Sequence, residues 1–217
     1  MDATTIQAKI NYGQGKAAQY LGNSFDVYRA ASAVNPLAAP NKFKTMRAQF
    51  TPFADSFKFG KASTYDSDLY NGMFDATGLQ PWDIFVSSIF GTFFIASLEA
   101  LVPPFCIGAG RTLTIKRPAG AVAVGAVAYS GRNSPSETTI MDSWPASVIM
   151  NRNATKGQST LPNDIGEPAF KVIMPQFPGV LIKTSDVVYD DIGIRYLVSM
   201  AELSPLGWRL ILREAVV

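Results

Sequence analysis

The latter part of this chain repeats a segment from its middle. Asp83-Ile84-Phe85-Val86 leads to Gly91-Thr92-Phe93-Phe94-Ile95-Ala96-Ser97 and Leu101. Asp186-Val187-Val188-Tyr189 leads to Gly193-Ile194-Arg195-Tyr196-Leu197-Val198-Ser199 and Leu203. The offset is 103 at the aspartates and 102 at the glycines, serines and leucines. A slip of one residue at a turn marks a duplicated β-hairpin, because turns absorb insertions and paired strands do not. The shared positions form no catalytic set, which points to a structural part and not an enzyme.

Composition narrows the classes. Charged residues make up 17% of the 217, against roughly 25% in ordinary soluble domains. Hydrophobic residues reach 47%, a balance that suits either a large covered core or a subunit of a larger assembly. A net charge of +2, without basic runs, gives no reason to expect nucleic acid. The chain has no histidine, which removes the commonest general base and zinc ligand. Cys106 is the one cysteine; between Phe105 and Ile107 it reads as a buried, inert thiol. No cofactor or metal is expected. The uncharged run Ile84–Leu98 is short of a membrane span, and its repeat, Val187–Leu203, carries Asp190, Asp191, Arg195 and Glu202. Both runs read as soluble strands, with no membrane insertion, and the Met1-Asp2-Ala3-Thr4 start lacks the features of a signal peptide.

Residues 4–21 predict a helix capped by Thr4 or Thr5, with Ile6, Ile10, Ala17, Ala18 and Leu21 sharing a face. Gly13 and Gly15 are expected to weaken its middle and to divide it in two. Strands are expected at Phe25–Arg29, Lys42–Phe50, Leu69–Phe74, Ile84–Val86, Thr92–Ser97 and Thr112–Lys116. The second unit predicts strands at Phe170–Met174, Val187–Tyr189, Arg195–Ser199 and Trp208–Arg213. In this reading Gly110 and Gly207 precede equivalent last strands, and the first unit carries a longer connection. Ala121–Tyr129 and Trp144–Ile149 read as further strands, and 130–136 and 151–164 as loops. The expected fold is mainly β: two small antiparallel barrels or sandwiches related by internal duplication, behind an N-terminal helix. The expected divisions are 1–22 (helical segment), 23–130 (first β unit) and 131–217 (second β unit).

Few residues invite chemistry. Gly13-Gln14-Gly15-Lys16 lacks the earlier glycine and the following Ser or Thr of a phosphate-binding loop. Asp83 and Asp186 stand just before equivalent strands and read as turn caps, as does the Asp190-Asp191 pair. Gly91 and Gly193 complete the two hairpin turns. Glu99 and Glu202 are a nominal carboxylate pair that nothing selects for glycoside hydrolysis. Trp208 begins an alternating strand and reads as core. Trp82 and Trp144 lie beside prolines, where sugar stacking and packing are both open.

Tyr12-Gly13-Gln14-Gly15-Lys16-Ala17-Ala18, with Leu21-Gly22 and Phe25-Asp26-Val27-Tyr28-Arg29, resembles the N-terminal segment of tailed-phage virion proteins. Asp186-Val187, Asp191, Gly193, Arg195-Tyr196-Leu197-Val198 and Gly207-Trp208-Arg209-Leu210 resemble the small β-barrels of head- and tail-completion proteins. The resemblance implies a non-enzymatic virion component of the tail or baseplate, of the ripcord kind that packs around the tail tube. Its implied partners are further copies of the chain in a ring and neighbouring tube, hub or baseplate proteins, after assembly in the host cytoplasm. A doubled barrel departs from the single-barrel completion proteins, which leaves a neck connector as an alternative beside a carbohydrate-binding appendage module. Ile6, Ile10, Tyr12 and Tyr20 on the helix are the expected interface.

Overall fold

Asp2 starts the first element. In the computed structural model, which describes residues 2–53, 68–118, 137–150 and 168–215, its carboxylate accepts the Thr5 N–H at 3.0 Å and caps helix α1, Ala3–Leu21. The cap is thus two residues before Thr4 and three before Thr5, because Asp2 has the extended backbone an N-cap requires. The helix also runs unbroken through Gly13 and Gly15, against the expected division. Glycine weakens a helix without breaking it, and at Gly15 the missing side chain is used. An added Cβ there would lie 2.9 Å from the Asp75 Cβ, so glycine lets α1 approach the chain beyond the strands it packs on.

Among the described residues twelve strands follow, and they form two closed six-stranded antiparallel barrels. The first contains β1 (Asn23–Tyr28), β2 (Lys42–Pro52), β3 (Leu69–Met73), β4 (Ile84–Ser87), β5 (Gly91–Ser97) and β6 (Phe105–Ala109). The second contains β7 (Arg111–Pro118), β8 (Glu137–Met150), β9 (Ala169–Met174), β10 (Val187–Asp190), β11 (Arg195–Ser204) and β12 (Gly207–Glu214). The first closes in the order β1-β2-β3-β6-β5-β4, with β4 returning to β1. The second repeats it as β7-β8-β9-β12-β11-β10, with β10 returning to β7. Closure leaves neither sheet with a free edge.

The duplication therefore covers whole barrels, and one correction follows. The strand expected to end the first unit, Thr112–Lys116, is the first strand of the second barrel: it pairs with β8 and β10. The chain changes barrels at Gly110 and not at 130. The true counterpart of β12 is β6, so Gly110 and Gly207 are not equivalent. Thr112–Lys116 misleads because alternation identifies a strand and not its partners. The readings at 121–129, 130–136 and 151–164 lie outside the described residues.

Alternation sets both cores. Phe25, Val27, Ala48, Phe74, Phe85, Ile95 and Cys106 fill the first barrel, where rings of Phe25, Phe50, Phe85 and Phe93 meet at 4.0–6.2 Å. Leu113, Ile115, Trp144, Val172, Val198, Leu210 and Leu212 fill the second. A third cluster, Ile84, Phe94, Ala96 and Ile107, lies on the outside of the first barrel and packs against Ile173 of the second. Ser147 also donates to Asp68 at 2.6 Å, and the Trp144 indole donates to the Ala33 carbonyl at 2.6 Å. The two barrels are thus bound to each other by apolar packing and buried hydrogen bonds.

The two helix glycines separate by substitution. Gly13→Ala has open space around it and is expected to stabilise α1 by up to about 1 kcal/mol. Gly15→Ala meets Asp75 and is expected to loosen the helix from the barrel. Hydrogen exchange of the α1 amides should slow in the first variant and quicken in the second.

Candidate functional site

Each barrel is closed by the same polar device. In the first, Tyr28 pairs with Ile84 where β1 meets β4, and the next residue pair along the seam is Arg29 and Asp83. The Arg29 Nε and Nη2 donate to the two Asp83 oxygens, both at 2.7 Å. The same Nη2 donates to the Gly78 carbonyl at 2.9 Å, and the Gln80 N–H donates to Asp83 at 2.8 Å. In the second barrel Lys116 pairs with Val187, and Arg117 grips Asp186 with Nε and Nη2, both at 2.8 Å. Its Nη2 reaches the Leu181 carbonyl at 2.7 Å, and the Lys183 N–H caps Asp186 at 2.7 Å. The two sites match bond for bond.

The backbone around them matches as well. Trp82 and Ser185, just before the aspartates, both take left-handed conformations, with φ of 75° and 73°. Their N–H groups donate to Ile95 and Val198, which in turn donate to the Asp83 and Asp186 carbonyls. The aspartate side chains are buried, at 1% and 3% exposure, while the arginines keep one side in water. Hydrogen bonds to Asp83 and Asp186 hold the Arg29 and Arg117 guanidinium groups above their ordinary pKa. Asp83 and Asp186 are turn caps, as the sequence suggests, but the arginines were missed. The signal was present: Val27-Tyr28-Arg29 and Ile115-Lys116-Arg117 stand at an offset of 88, and Ala33-Val34 and Ala121-Val122 keep it.

The hairpin turns also match in part. Gly91 and Gly193 both have left-handed backbone, with φ of 84° and 85°, a region other residues enter at a cost, but they are offset by one place. Gly91 pairs with Ser87, while Asp190, the counterpart of Ser87, bonds across to Ile194, so the one-residue slip read from the matched glycines is not kept by the strands. Asp190 accepts the Ile192 and Ile194 N–H groups at 3.1 and 2.8 Å, which is turn chemistry. It does more than that, because its other oxygen takes the Arg111 guanidinium and the Tyr196 hydroxyl, the latter at 3.1 Å. Asp191 is exposed and completes the set at 2.8 Å from Arg111 Nε. Burial works against the Asp190 charge, yet the Ile194 N–H, Arg111 and Tyr196 outweigh it and hold the carboxyl below its usual range. Burial and the neighbouring carboxylate push Tyr196 up to about 12.

The remaining candidates are placed apart. Trp144 is 1% exposed and belongs to the second core, so it forms no sugar-stacking platform with Trp82. Trp82 packs against the outer cluster and over Gly207, whose φ of 108° and 2.5 Å approach of an added Cβ to the Met174 carbonyl exclude a side chain. Glu202 is paired with Arg209 at 2.7 Å, and Glu99 accepts from Ser97 at 3.2 Å. Cys106 is buried, and burial pushes its thiol pKa up. Gly13-Gln14-Gly15-Lys16 is plain helix. A cavity of about 530 Å³ between α1 and β2 is lined by Tyr12, Lys16, Lys44 and Asp75, and by Arg47, which donates to the carbonyls ending α1. Among the described residues no group of three acidic or cysteine side chains is placed to hold a metal, and no helix is long and apolar enough to cross a membrane.

Of the face expected for the helix, Ala18 is buried and Ala17 half-buried, while Ile6 and Leu21 are exposed. Gln7 accepts the Leu101 N–H at 2.7 Å and donates to Asn11 at 2.8 Å, so polar groups face the barrel. Tyr12, Tyr20 and Leu21 are 66%, 85% and 69% exposed, Ile6 is 37% exposed, and Ile10 is half-buried. No protein-family model, curated protein or solved structure matches this chain.

Replacing Arg29 with Gln strands the buried Asp83 carboxylate and is expected to cost about 3 kcal/mol in denaturant unfolding, with Arg117→Gln costing a similar amount. The Asp83→Asn variant should cost less, since no charge is stranded. A cost below half a kilocalorie, of order surface pairs, would deny the clamp its role. Two pH windows follow from Asp190 and Tyr196. Stability from the depressed Asp190 is present above its unfolded pKa near 3.9 and is lost as pH falls through the folded value. Stability from the raised Tyr196 is present below pH 10.0 and is lost as pH rises toward about 12. Thermal melts across both ranges check the assignment, with Tyr196→Phe removing the alkaline loss and, because its hydroxyl also holds Asp190, reducing the acid one.

Proposed function

We propose that this chain is a structural subunit of a tailed-phage tail or baseplate, assembling with copies of itself around or beside the tail tube and performing no catalysis. The observation that carries the reading is the exposed aromatic and leucine side of the helix. A helix whose only task was to cover a barrel would turn its large apolar side chains inward. Here the barrel side is small or mixed, with Ala18 buried and Ile10, Ala17, Gln7 and Asn11 half-buried, while Tyr12, Tyr20 and Leu21 face solvent. Large rings and leucines set out in this way favour burial by a neighbour.

Two further features support it. The buried aspartates Asp83, Asp186 and Asp190 are each held by an arginine and by turn N–H groups, which suits rigid construction. The duplicated barrel supplies two like surfaces in one chain, a natural basis for repetitive assembly. The phage setting comes from the resemblance of the N-terminal segment and the second hairpin.

Removing residues 2–22 tests the role of the helix. Circular dichroism should retain the β signal, while native mass spectrometry should lose the oligomers formed by the full chain. Cryo-electron microscopy of assembled tails should place the full chain in a ring. Normal assembly of the truncated chain would reject the helix as interface, and absence of the full chain from particles would reject the virion role.

A further inference from the structure

The cavity between α1 and β2 gathers more positive charge than its own walls neutralise. Three cations, Lys16, Lys44 and Arg47, line it against one carboxylate, Asp75. Asp75 is engaged as a turn cap, its Oδ1 accepting the Thr77 N–H at 3.0 Å. The one carboxylate of β1, Asp26, is taken by Lys42 and by the Thr45 hydroxyl, both at 2.7 Å. Lys16 and Lys44 therefore have no carboxylate partner among the described residues. Lys16 lies over the Tyr12 ring, 5.5 Å from its centre, and Lys44 is half-buried. Arg47 directs Nη1 to the Gln19 and Gly22 carbonyls, both at 3.2 Å, and its Nε and Nη2 remain as donors. The Ser24 hydroxyl stands on the same wall. Like charges around one cavity repel one another, so the arrangement favours an arriving anion.

The second barrel shows that the fold has no need of these cations. Counted from the equivalent clamp arginines, Asn23 pairs with Ala48 as Arg111 pairs with Ala146, and both alanines are fully buried. One place along, Ser24 pairs with Arg47 as Thr112 pairs with Pro145. The core position is kept, while a proline holds the place of Arg47. Strand β7 follows β6 after a single residue, so nothing there corresponds to α1 or to Lys16.

We propose that this cavity binds a small molecule through a terminal phosphate group, with Lys16 and Lys44 balancing its charge and Arg47 and Ser24 donating to its oxygens. A phosphate monoester carries close to two negative charges at neutral pH, which three cations and one carboxylate balance. A carboxylate ligand, or one phosphodiester of a nucleic acid, brings a single charge and leaves the rest uncompensated. The volume, about 530 Å³, is that of a small-molecule site. The exposed Tyr12 ring lines the same cavity and offers apolar surface to the remainder of the ligand. Gly13-Gln14-Gly15-Lys16 acts here as helix, contributing one side chain and no phosphate-binding loop. A ligand so held bridges α1 to β2. The site stands independently of the assembly reading.

Isothermal titration calorimetry of the full chain at fixed ionic strength tests the site, with inorganic pyrophosphate and AMP as probes. Sodium acetate and an unphosphorylated thymidine octamer are the comparisons. Saturable one-site binding of both phosphates is expected, with acetate and the octamer weaker by about tenfold or more. Lys16→Ala and Lys44→Ala should each weaken pyrophosphate binding by about tenfold, and Lys171→Ala, on β9, by less than about twofold. Both cavity lysines lie outside the cores, so circular dichroism should be unchanged in their variants. Hydrogen exchange of the α1 amides should slow with pyrophosphate bound. No saturable binding, binding unaltered in both cavity variants, or an equal loss in Lys171→Ala would overturn the proposal. Tighter binding of the octamer than of AMP would make this a surface for nucleic-acid backbone and overturn it too.

Discussion

The bidentate pairing of Arg29 with Asp83, and of Arg117 with Asp186, sits where each barrel must close. In both barrels the first strand returns to the fourth, a pairing between segments more than fifty residues apart, 54 for Arg29 and Asp83. Ladder hydrogen bonds end at Tyr28–Ile84 and Lys116–Val187, and the ion pair takes the next place along the seam. It also binds the loop entering β4 or β10 through the Gly78 or Leu181 carbonyl. A fork of five donors on a planar frame suits this task better than a lysine, because it fixes direction as well as charge. Burial of the carboxylates makes the arrangement costly to half-remove, which explains how one residue type secures a long-range closure.

Closure has a second effect. A sheet with no edge cannot recruit neighbours by strand addition, so association must use side chains on outer faces. That is what joins the two barrels: Ile84, Phe94, Ala96 and Ile107 are outward-facing on β4 to β6 and would be an exposed apolar patch without Ile173 and its surroundings. At the equivalent positions the second barrel carries Val187, which is buried, and Leu197, Ser199 and Arg213, which are exposed. The helix turns small and polar residues, Ala18, Gln7 and Asn11 among them, toward the barrel and leaves Tyr12, Tyr20 and Leu21 exposed. The molecule thus combines two self-contained cores, with one outer face of the first barrel buried by the second.

Much of this was legible from the residues. The alternation around Phe25–Tyr28, Lys42–Phe50 and Arg195–Ser199 located strands, and matched letters at Asp83 and Asp186 located the repeat. Asp190 was legible as a turn cap. Its grip on Arg111 was not, because Arg111 lies 79 residues upstream, on a strand whose pairing with β10 no local pattern states. Trp144 was ambiguous for a similar reason: its neighbouring proline suggests a loop, yet the Ala33 carbonyl waits for its indole N–H inside the molecule. The barrel to which Thr112–Lys116 belongs was misread, since a strand's sequence fixes which side faces inward but not which strand lies beside it.

The sequence by itself determined that there are two like β units, that Asp83, Asp186, Gly91 and Gly193 form their turns, and that the first segment is a helix. These are local properties, governed by period, turn chemistry and backbone freedom over a few residues. Only the tertiary structure decided that the repeat is a whole barrel, that each seam is clamped by arginine, and that the outer face of one barrel is buried by the other. Those depend on contacts between residues far apart in the chain, where the cost of closing the loop is met by packing and ion pairing together.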